Sequence, residues 1–405
     1  MTYRLPRLLN SIVGGLPPIF WLIFVGTLIN RIGSFVRPFL TLFLMEQGAF
    51  SATRASWTVV IYTFGLLMAH PIGGWMTDRL GRRVTLLWSF FGTTVFMMLF
   101  PLIEHPILMM AFVLPLGFFT DLYRPAVNTM IADVVPPADR QRAYSLNYWV
   151  INFGFAVSGV LAGYVSGYDS RWLFWIDGVT SLAFGILIWF AIPESHPSTQ
   201  NVRPVTSPPS AHALKVLWAD RLFIALVLLS FSSALVFQQM FTALPISMKL
   251  DGLSDQAYGL TSAMNGIVII LLGFVFVRWV AGRSVVRTMA LATVTIGIGF
   301  SLFAVADTTS VYILGMVITS IGEIIAQPVQ STFAVTLAPP EKRGLYVGVY
   351  GMSFGLGGFV SPIITTYILS MGNLNGLWWG CLVIGILGAV GYLLIAEPLR
   401  RRGFS

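Results

Sequence analysis

The chain has 405 residues, of which 56% are hydrophobic and only 10% are charged. Soluble domains typically carry about 25% charged residues, so this composition excludes a cytosolic enzyme. The formal net charge is +8, and the single cysteine, Cys381, excludes both a disulfide framework and a cysteine-based metal site.

Twelve apolar runs follow one another along the chain, and we number them spans 1 to 12. Each run is long enough for the roughly 20 residues that a helix needs to cross a bilayer. The runs are centred near Val25, Phe64, Thr94, Phe118, Gly154, Phe184, Leu229, Val268, Gly297, Thr319, Phe354 and Leu387. The predicted fold class is therefore an all-α integral membrane protein with twelve transmembrane helices.

The basic residues are concentrated on one side of this predicted topology. With the N-terminus in the cytoplasm, most of the 24 Lys and Arg residues lie on cytoplasmic segments. The exceptions are Arg54, Arg171 and Lys249 in outer loops and Arg31, Arg37 and Arg124 within spans. The positive-inside rule describes this asymmetry. It places both termini in the cytoplasm and explains the net charge without a nucleic-acid partner.

The chain divides into two similar halves. A segment rich in proline and serine separates spans 6 and 7 and is predicted to be a cytoplasmic linker. The predicted domains are a six-helix bundle over 1–193, a linker over 194–218 and a second bundle over 219–405. A shift of 203 positions carries Pro125 onto Pro328 and Gly154 onto Gly357. Such a repeat predicts two pseudo-symmetric bundles with a binding site between them at mid-membrane.

The clearest motif follows span 2 and reads Gly74-Trp-Met-Thr-Asp78-Arg79-Leu-Gly81-Arg82-Arg83. It resembles the signature of the loop between helices two and three in the major facilitator superfamily. The departure is that Arg82 and Arg83 come one position early, and Val84 stands where the last basic residue is common.

This motif predicts a conformational latch. Glycine permits a tight turn, and the Asp78 carboxylate can accept hydrogen bonds at the N-terminus of a neighbouring helix. The resemblance implies that this neighbour is span 11, starting near Arg343 and Gly344. Asp133, at the cytoplasmic end of span 4, is the predicted partner of Arg79 or Arg82. The alternative is that the basic residues only set the topology.

Ionisable groups within spans are costly unless they are paired or face water. Glu323 shares one helix face of span 10 with Gln327 and Gln330. Burial disfavours the charged form of a carboxyl group, so Glu323 is the first candidate for proton coupling, against the alternative of a structural acid. In span 4, Asp121 and Arg124 are three residues apart and predict an intrahelical pair. Asp121 is the second candidate for proton coupling.

Polar residues on other spans predict a substrate cavity. Asn30, Ser34 and Arg37 have the spacing of one continuous polar face along span 1. Ordinary helix packing is the alternative for each position. The complete predicted cavity set is Asn30, Ser34, Arg37, Arg124, Tyr148, Asn152, Gln238, Gln239, Gln327 and Gln330.

The resemblance to the major facilitator superfamily covers essentially the whole chain. Short stretches such as Gly322-Glu323 look like bacterial proton-coupled multidrug exporters. The resemblance implies proton-coupled efflux of lipophilic or cationic small molecules by rocker-switch alternating access, from the bacterial inner membrane. The alternative is a proton-coupled importer of a polar or anionic nutrient, such as a peptide or organic acid, which the arginines within spans favour.

An enzyme is the rival from a different class. The four histidines, His70, His105, His196 and His212, are scattered along the sequence, and neither a metal cluster nor a nucleophile motif is present. The expectation is therefore a transporter without cofactor or metal. Its expected partners are a small-molecule substrate, protons and the lipid bilayer, and it is expected to act as a monomer.

Overall fold

A computed structural model describes residues 14–46, 50–195, 215, 217–280, 282–338 and 343–402. Within these residues, it describes no side chains at positions 277, 327–328, 331–336 and 343–344. The greater part of the predicted linker, residues 196–214, therefore lies outside the described residues, as does the side chain of Gln327.

Twelve helical segments are long and apolar enough to cross a membrane, which confirms the predicted fold class. In order they are Pro18–Glu46, Ala52–Arg79, Arg82–Leu102, Pro106–Val134, Arg140–Ser166, Arg171–Ala191, Arg221–Leu250, Asp255–Val280, Val285–Ala304, Thr309–Ala326, Leu345–Ser370 and Leu374–Leu394. The helices of spans 10 and 11 extend over Thr309–Leu337 and Arg343–Ser370. A short helix, Ala396–Arg401, follows span 12. The part of the chain described here contains no β-strand.

Among the described residues, three spans consist of two α-helical segments each. Span 1 is Pro18–Ile32 and Val36–Glu46, span 4 is Pro106–Asp121 and Tyr123–Val134, and span 7 is Arg221–Phe237 and Gln239–Leu250. The interruption in span 1 is the widest, since Gly33, Ser34 and Phe35 all lie outside the helices. The predicted continuous polar face from Asn30 through Ser34 to Arg37 is therefore wrong, because the helical register is lost between Ile32 and Val36.

The chain forms two compact units, each with its own core. Among the described residues, the first unit holds 14–36, Phe64–Ser158 and 170–195, and the second holds 37–46, 50–63, Gly159–Asp169 and residues from 215 onward. The first core includes Phe20, Phe90 and Phe184, and the second includes Phe223 and Met289. Spans 1, 2 and 5 each contribute one end to the first unit and the other end to the second.

Helix starts within these units follow local chemistry. Asp220 precedes span 7 and accepts a hydrogen bond from the Phe223 backbone N–H at 3.2 Å, satisfying one of the first amides of that helix. Gly81 precedes span 3 with a φ of 101°, a conformation that favours glycine. Gly81 of the predicted latch motif is therefore required by the conformation of the turn before span 3.

Candidate functional site

Glu323 lies in span 10 beside an amide side chain of span 8. The Asn265 Nδ2 group donates hydrogen bonds to Glu323 Oε2 at 2.8 Å and to Ser320 Oγ at 3.1 Å. Val268, Ile269 and Ile324 form an apolar cluster in the same pair of spans. Among the described residues, no Lys, Arg or His nitrogen forms a salt bridge with Glu323. The carboxyl group is thus held by a neutral donor in apolar surroundings.

Asn265 was not predicted as a site residue. A single asparagine in an otherwise apolar run costs several kcal/mol without a hydrogen-bond partner, so its place in span 8 was a usable signal. The other predicted members of the span 10 stripe are Gln327 and Gln330. Gln330 is buried, and the side chain of Gln327 lies outside the described residues.

Asp121 is the centre of an ionic cluster that joins spans 2 and 4. Arg124 Nε donates to Asp121 Oδ1 at 2.5 Å, which is the predicted intrahelical pair. His70 Nε2 lies 3.3 Å from the other carboxylate oxygen, Oδ2. The Asp121 side chain is 7% exposed, whereas those of His70 and Arg124 are 43% and 35% exposed. The histidine was not predicted, because its partner is on a different helix.

Arg31 reaches the same region from span 1. Its Nη2 group donates to the Tyr123 hydroxyl, and its guanidinium lies 5.2 Å from the centre of the Tyr123 ring. The Arg124 guanidinium lies 5.9 Å from the same ring centre. Gly154 of span 5 packs directly against Arg31, so a larger residue at 154 would collide with its side chain. The first unit therefore holds a continuous set of ionisable groups from spans 1, 2 and 4.

The residues predicted for a single face of span 1 have separate environments. Asn30 is buried and donates to Ser181 Oγ of span 6 at 3.0 Å. Ser34 lies in the interruption between the two helical segments. The Arg37 guanidinium lies 4.9 Å from the centre of the Phe241 ring in span 7.

Asp177 of span 6 contacts the interruption in span 1. Its Oδ2 atom accepts a hydrogen bond from the Val36 backbone N–H at 3.3 Å. Val36 begins the helical segment Val36–Glu46, and a carboxylate is favoured at a helix N-terminus. Asp177 is buried, so this contact fixes the start of the second segment from inside the first unit.

The predicted cavity residues of spans 5 and 7 mostly bind other protein groups. Asn152 Nδ2 donates to the Tyr148 carbonyl at 2.9 Å within span 5. Gln238 occupies the interruption of span 7. The adjacent Gln239 is fully buried, and its Oε1 accepts hydrogen bonds from Thr242 at 2.9 Å and from Thr365 of span 11 at 2.6 Å. Gln239 therefore connects spans 7 and 11.

The latch motif contains one well-defined ion pair. Arg82 Nε donates to Asp133 Oδ2 at 2.9 Å, so Arg82 rather than Arg79 pairs with Asp133. Gly74 has open space where a side chain would project, and Asp78 and Arg79 are exposed. The side chains of the expected partners at 343 and 344 lie outside the described residues.

Glu194 extends the motif beyond its predicted members. Its carboxylate accepts hydrogen bonds from the backbone N–H groups of Arg82 at 2.9 Å and Arg83 at 3.1 Å. Arg83 Nη2 donates to the Trp189 carbonyl at 2.5 Å. The chain just after span 6 thus caps span 3, a contact that the predicted linker start at 194 did not anticipate.

Metal ligation has no support in the described residues, which contain no group of three His, Cys, Asp or Glu side chains suited to a metal ion. Twelve spans that carry an ion pair such as Asp121–Arg124 are typical of a polytopic membrane transport protein. The family model of the Major Facilitator Superfamily matches residues 22–360 and 241–404, and the chain belongs to this family.

Curated relatives are similar along most of the chain. An uncharacterized MFS-type transporter, YqjV of Bacillus subtilis, is 26% identical over 92% of this chain and 88% of its own length. A Na(+), Li(+), K(+)/H(+) antiporter of Planococcus maritimus is 24% identical over 86% of this chain and 88% of its own. The multidrug resistance protein MdtH of Proteus mirabilis is 22% identical over 89% and 88%.

Solved structures share the fold. A peptide transporter POT in complex with sulfate superposes with a TM-score of 0.80 over 97% of each chain, at 15% identity. A D-xylose-proton symporter superposes with a TM-score of 0.73 over 92% of this chain and 96% of its own, at 16% identity. At such identities the likeness shows the fold alone.

Proposed function

We propose that this chain is a secondary active transporter that exports lipophilic or cationic small molecules in exchange for protons. The observation that carries the proposal is the Glu323 carboxyl group, held in span 10 by the neutral Asn265 amide at 2.8 Å. A carboxyl group within a membrane is expensive as an ion without a basic partner, so it can alternate between binding a proton and facing a cation. The relatives named as a multidrug resistance protein and a cation/proton antiporter support this direction.

Coupling requires that the proton binds the two states of the transporter with different affinity. In the proposal, Glu323 is the first proton carrier and Asp121 the second. The two six-helix bundles tilt in a rocker-switch around the cavity residues named above. The Gly74–Arg83 loop, with the Arg82–Asp133 pair, acts as the latch. The chain works as a monomer in the bacterial inner membrane with both termini in the cytoplasm.

Import of an anionic nutrient is the second candidate, and the three arginines within spans 1 and 4 favour it. Each of them, however, already has a protein partner. Arg124 pairs with Asp121 at 2.5 Å, Arg31 bonds to Tyr123, and Arg37 lies over the Phe241 ring. An anion would have to displace these contacts, which is why export has the stronger support.

The test measures proton movement in proteoliposomes with an imposed pH gradient. The protein is challenged with a panel of lipophilic cations, including tetraphenylphosphonium, and separately with dipeptides. Wild type is compared with Glu323→Gln, which keeps the side-chain volume and a hydrogen-bonding group toward Asn265. The matched control is Glu104→Gln, because Glu104 is exposed in the loop after span 3.

We expect the cations to dissipate the gradient with wild type and Glu104→Gln, and Glu323→Gln to be silent. Proton flux driven by dipeptides alone, in the same direction as the peptide, would replace export with import. Full activity of Glu323→Gln would make Glu323 structural and leave Asp121 as the proton carrier to test.

A further inference from the structure

His70 has no role in the proposal above, yet its position in the first unit is specific. Its Nε2 atom lies 3.3 Å from Asp121 Oδ2, while Arg124 Nε occupies the other carboxylate oxygen at 2.5 Å. One buried carboxylate is therefore shared by a permanent cation and by an imidazole. Histidine is the side chain whose charge ordinarily changes near neutral pH.

Close packing of spans 2 and 4 brings these groups together. Gly65 and Gly73 of span 2 face the backbone of span 4, and a side chain at 73 would approach the Leu122 carbonyl to 2.7 Å. Such glycines let two helices approach closely in a membrane. His70 lies between these two contact points in sequence, so the close approach of the two helices brings its side chain within reach of Asp121.

Charged groups of spans 1 and 4 lie near His70. From span 4 it meets Asp121 and, through that carboxylate, Arg124. Tyr123 of the same span accepts a hydrogen bond from Arg31 of span 1. With a neutral imidazole, the Asp121 carboxylate still has its ion pair with Arg124. A proton on the imidazole adds a second cation to the same carboxylate and changes the net charge of this cluster by one.

We propose that His70 is a proton-binding residue of the transport cycle, with Asp121 as its counter-ion. This inference rests on the proposed proton coupling and adds a site in the first half to Glu323 in the second. The Nε2–H group donates to Asp121 Oδ2, and Nδ1 takes a proton from hydronium, which leaves a water molecule, to form an imidazolium. The new Nδ1–H bond breaks when that proton is returned to water as hydronium. Because the imidazole is partly exposed, it can exchange this proton while it contacts the buried Asp121 carboxylate.

The test counts protons released when the purified full-length protein binds tetraphenylphosphonium in weakly buffered detergent solution with a pH-indicator dye. Wild type is compared with His70→Gln, whose amide can still donate to Asp121 but cannot titrate, and with Glu323→Gln. His105→Gln is the matched control, since His105 is exposed in a loop. His70→Lys, with a fixed positive charge, is a second variant in case His70→Gln does not fold.

We expect His70→Gln and His70→Lys to release about one proton fewer per chain than wild type, and His105→Gln to match wild type. If a His70 variant still binds the probe and releases as many protons as wild type, the inference is overturned. In that case the proposed function stands if Glu323→Gln reduces proton release. If wild type binds the probe but releases no protons, proton coupling itself fails and the role of His70 fails with it.

Discussion

Spans 4 and 10, which the predicted internal repeat pairs with each other, hold their acids in opposite surroundings. The shift of 203 positions places Glu323 opposite Thr120, one residue before Asp121. Among the described residues, Asp121 has basic neighbours at 2.5 and 3.3 Å, whereas Glu323 has a neutral amide at 2.8 Å. Two acids at nearly equivalent positions of the predicted repeat can therefore have different roles. Their partners decide whether removal of the charge breaks an ion pair or removes a charge from apolar surroundings.

The largest expected effect is at the paired acid. Asp121→Asn removes the carboxylate that pairs with Arg124 at 2.5 Å, and breaking a buried pair costs about 3 kcal/mol. We expect a clear loss of thermal stability in detergent. The double variant Asp121→Asn with Arg124→Gln should recover part of it, because no unpaired charge remains. An additive double variant would show that the two residues do not interact.

The latch pair should have a smaller effect. Asp133→Asn removes the acceptor for Arg82 Nε at 2.9 Å, and we expect a loss of about 2 kcal/mol, typical of a hydrogen bond between charged groups. The comparison is with Arg79→Gln, since Arg79 is exposed and its replacement should change the unfolding temperature little. Equal effects of the two variants would contradict the specific pairing of Arg82 with Asp133.

A third effect depends on pH and concerns Asp220, which precedes span 7. Burial acts to raise the pKa of its carboxyl group, but hydrogen bonds from Arg402, the Phe223 amide and Tyr346 together hold the pKa below its ordinary value. The stabilisation from this group is complete above the ordinary pKa and is lost as the pH falls through the lowered one.

Arg402→Gln removes the 2.7 Å contact with Asp220 and should cost up to about 1 kcal/mol near neutral pH. The difference from wild type should shrink below about pH 4, where aspartate carboxyls ordinarily titrate. Thermal unfolding at a series of pH values measures this. Arg401→Gln is the control, because Arg401 pairs with the exposed Glu397 instead; a similar pH dependence in the control would disprove the role of Asp220.

The smallest expected effect on stability is that of Glu323→Gln, in contrast to Asp121→Asn. Glu323→Gln preserves a hydrogen bond with Asn265 and removes a carboxyl group from apolar surroundings, so we expect stability within about 1 kcal/mol of wild type. Differential scanning fluorimetry beside Asp121→Asn tests this contrast. A large loss of stability in Glu323→Gln would show that Glu323, like Asp121, is held by a charged partner.

The features that were predictable from sequence are those set by local chemistry. Runs of about 20 apolar residues determine the twelve spans because a helix of that length crosses the bilayer with its backbone hydrogen bonds satisfied within the segment. The Asp121–Arg124 pair follows from helical spacing alone. The Arg82–Asp133 contact was one of two predicted pairings because the motif and the end of span 4 lie on the same predicted side.

The missed features depend on which helix faces meet. His70 and Asn265 acquire their partners from spans 4 and 10, and nothing in the local sequence indicates that contact. The interruption of span 1 was missed because Gly33-Ser34-Phe35 contains no proline and the polar residues on either side keep the spacing of a continuous helix. Its cause is tertiary, since Gly33 packs against Thr180 and Val36 is bonded to Asp177.

That interruption also has a mechanical consequence. Val36 is the last residue that span 1 contributes to the first unit, and Arg37 is the first that it contributes to the second. A straight helix resists bending because its ladder of backbone hydrogen bonds must stretch. In span 1 the regular ladder is interrupted at Ser34 and Phe35, whose N–H groups bond to the Arg31 and Gly33 carbonyls instead. Bending at these two residues therefore stretches no i→i−4 bond of their own, while the Asp177 carboxylate holds the Val36 amide.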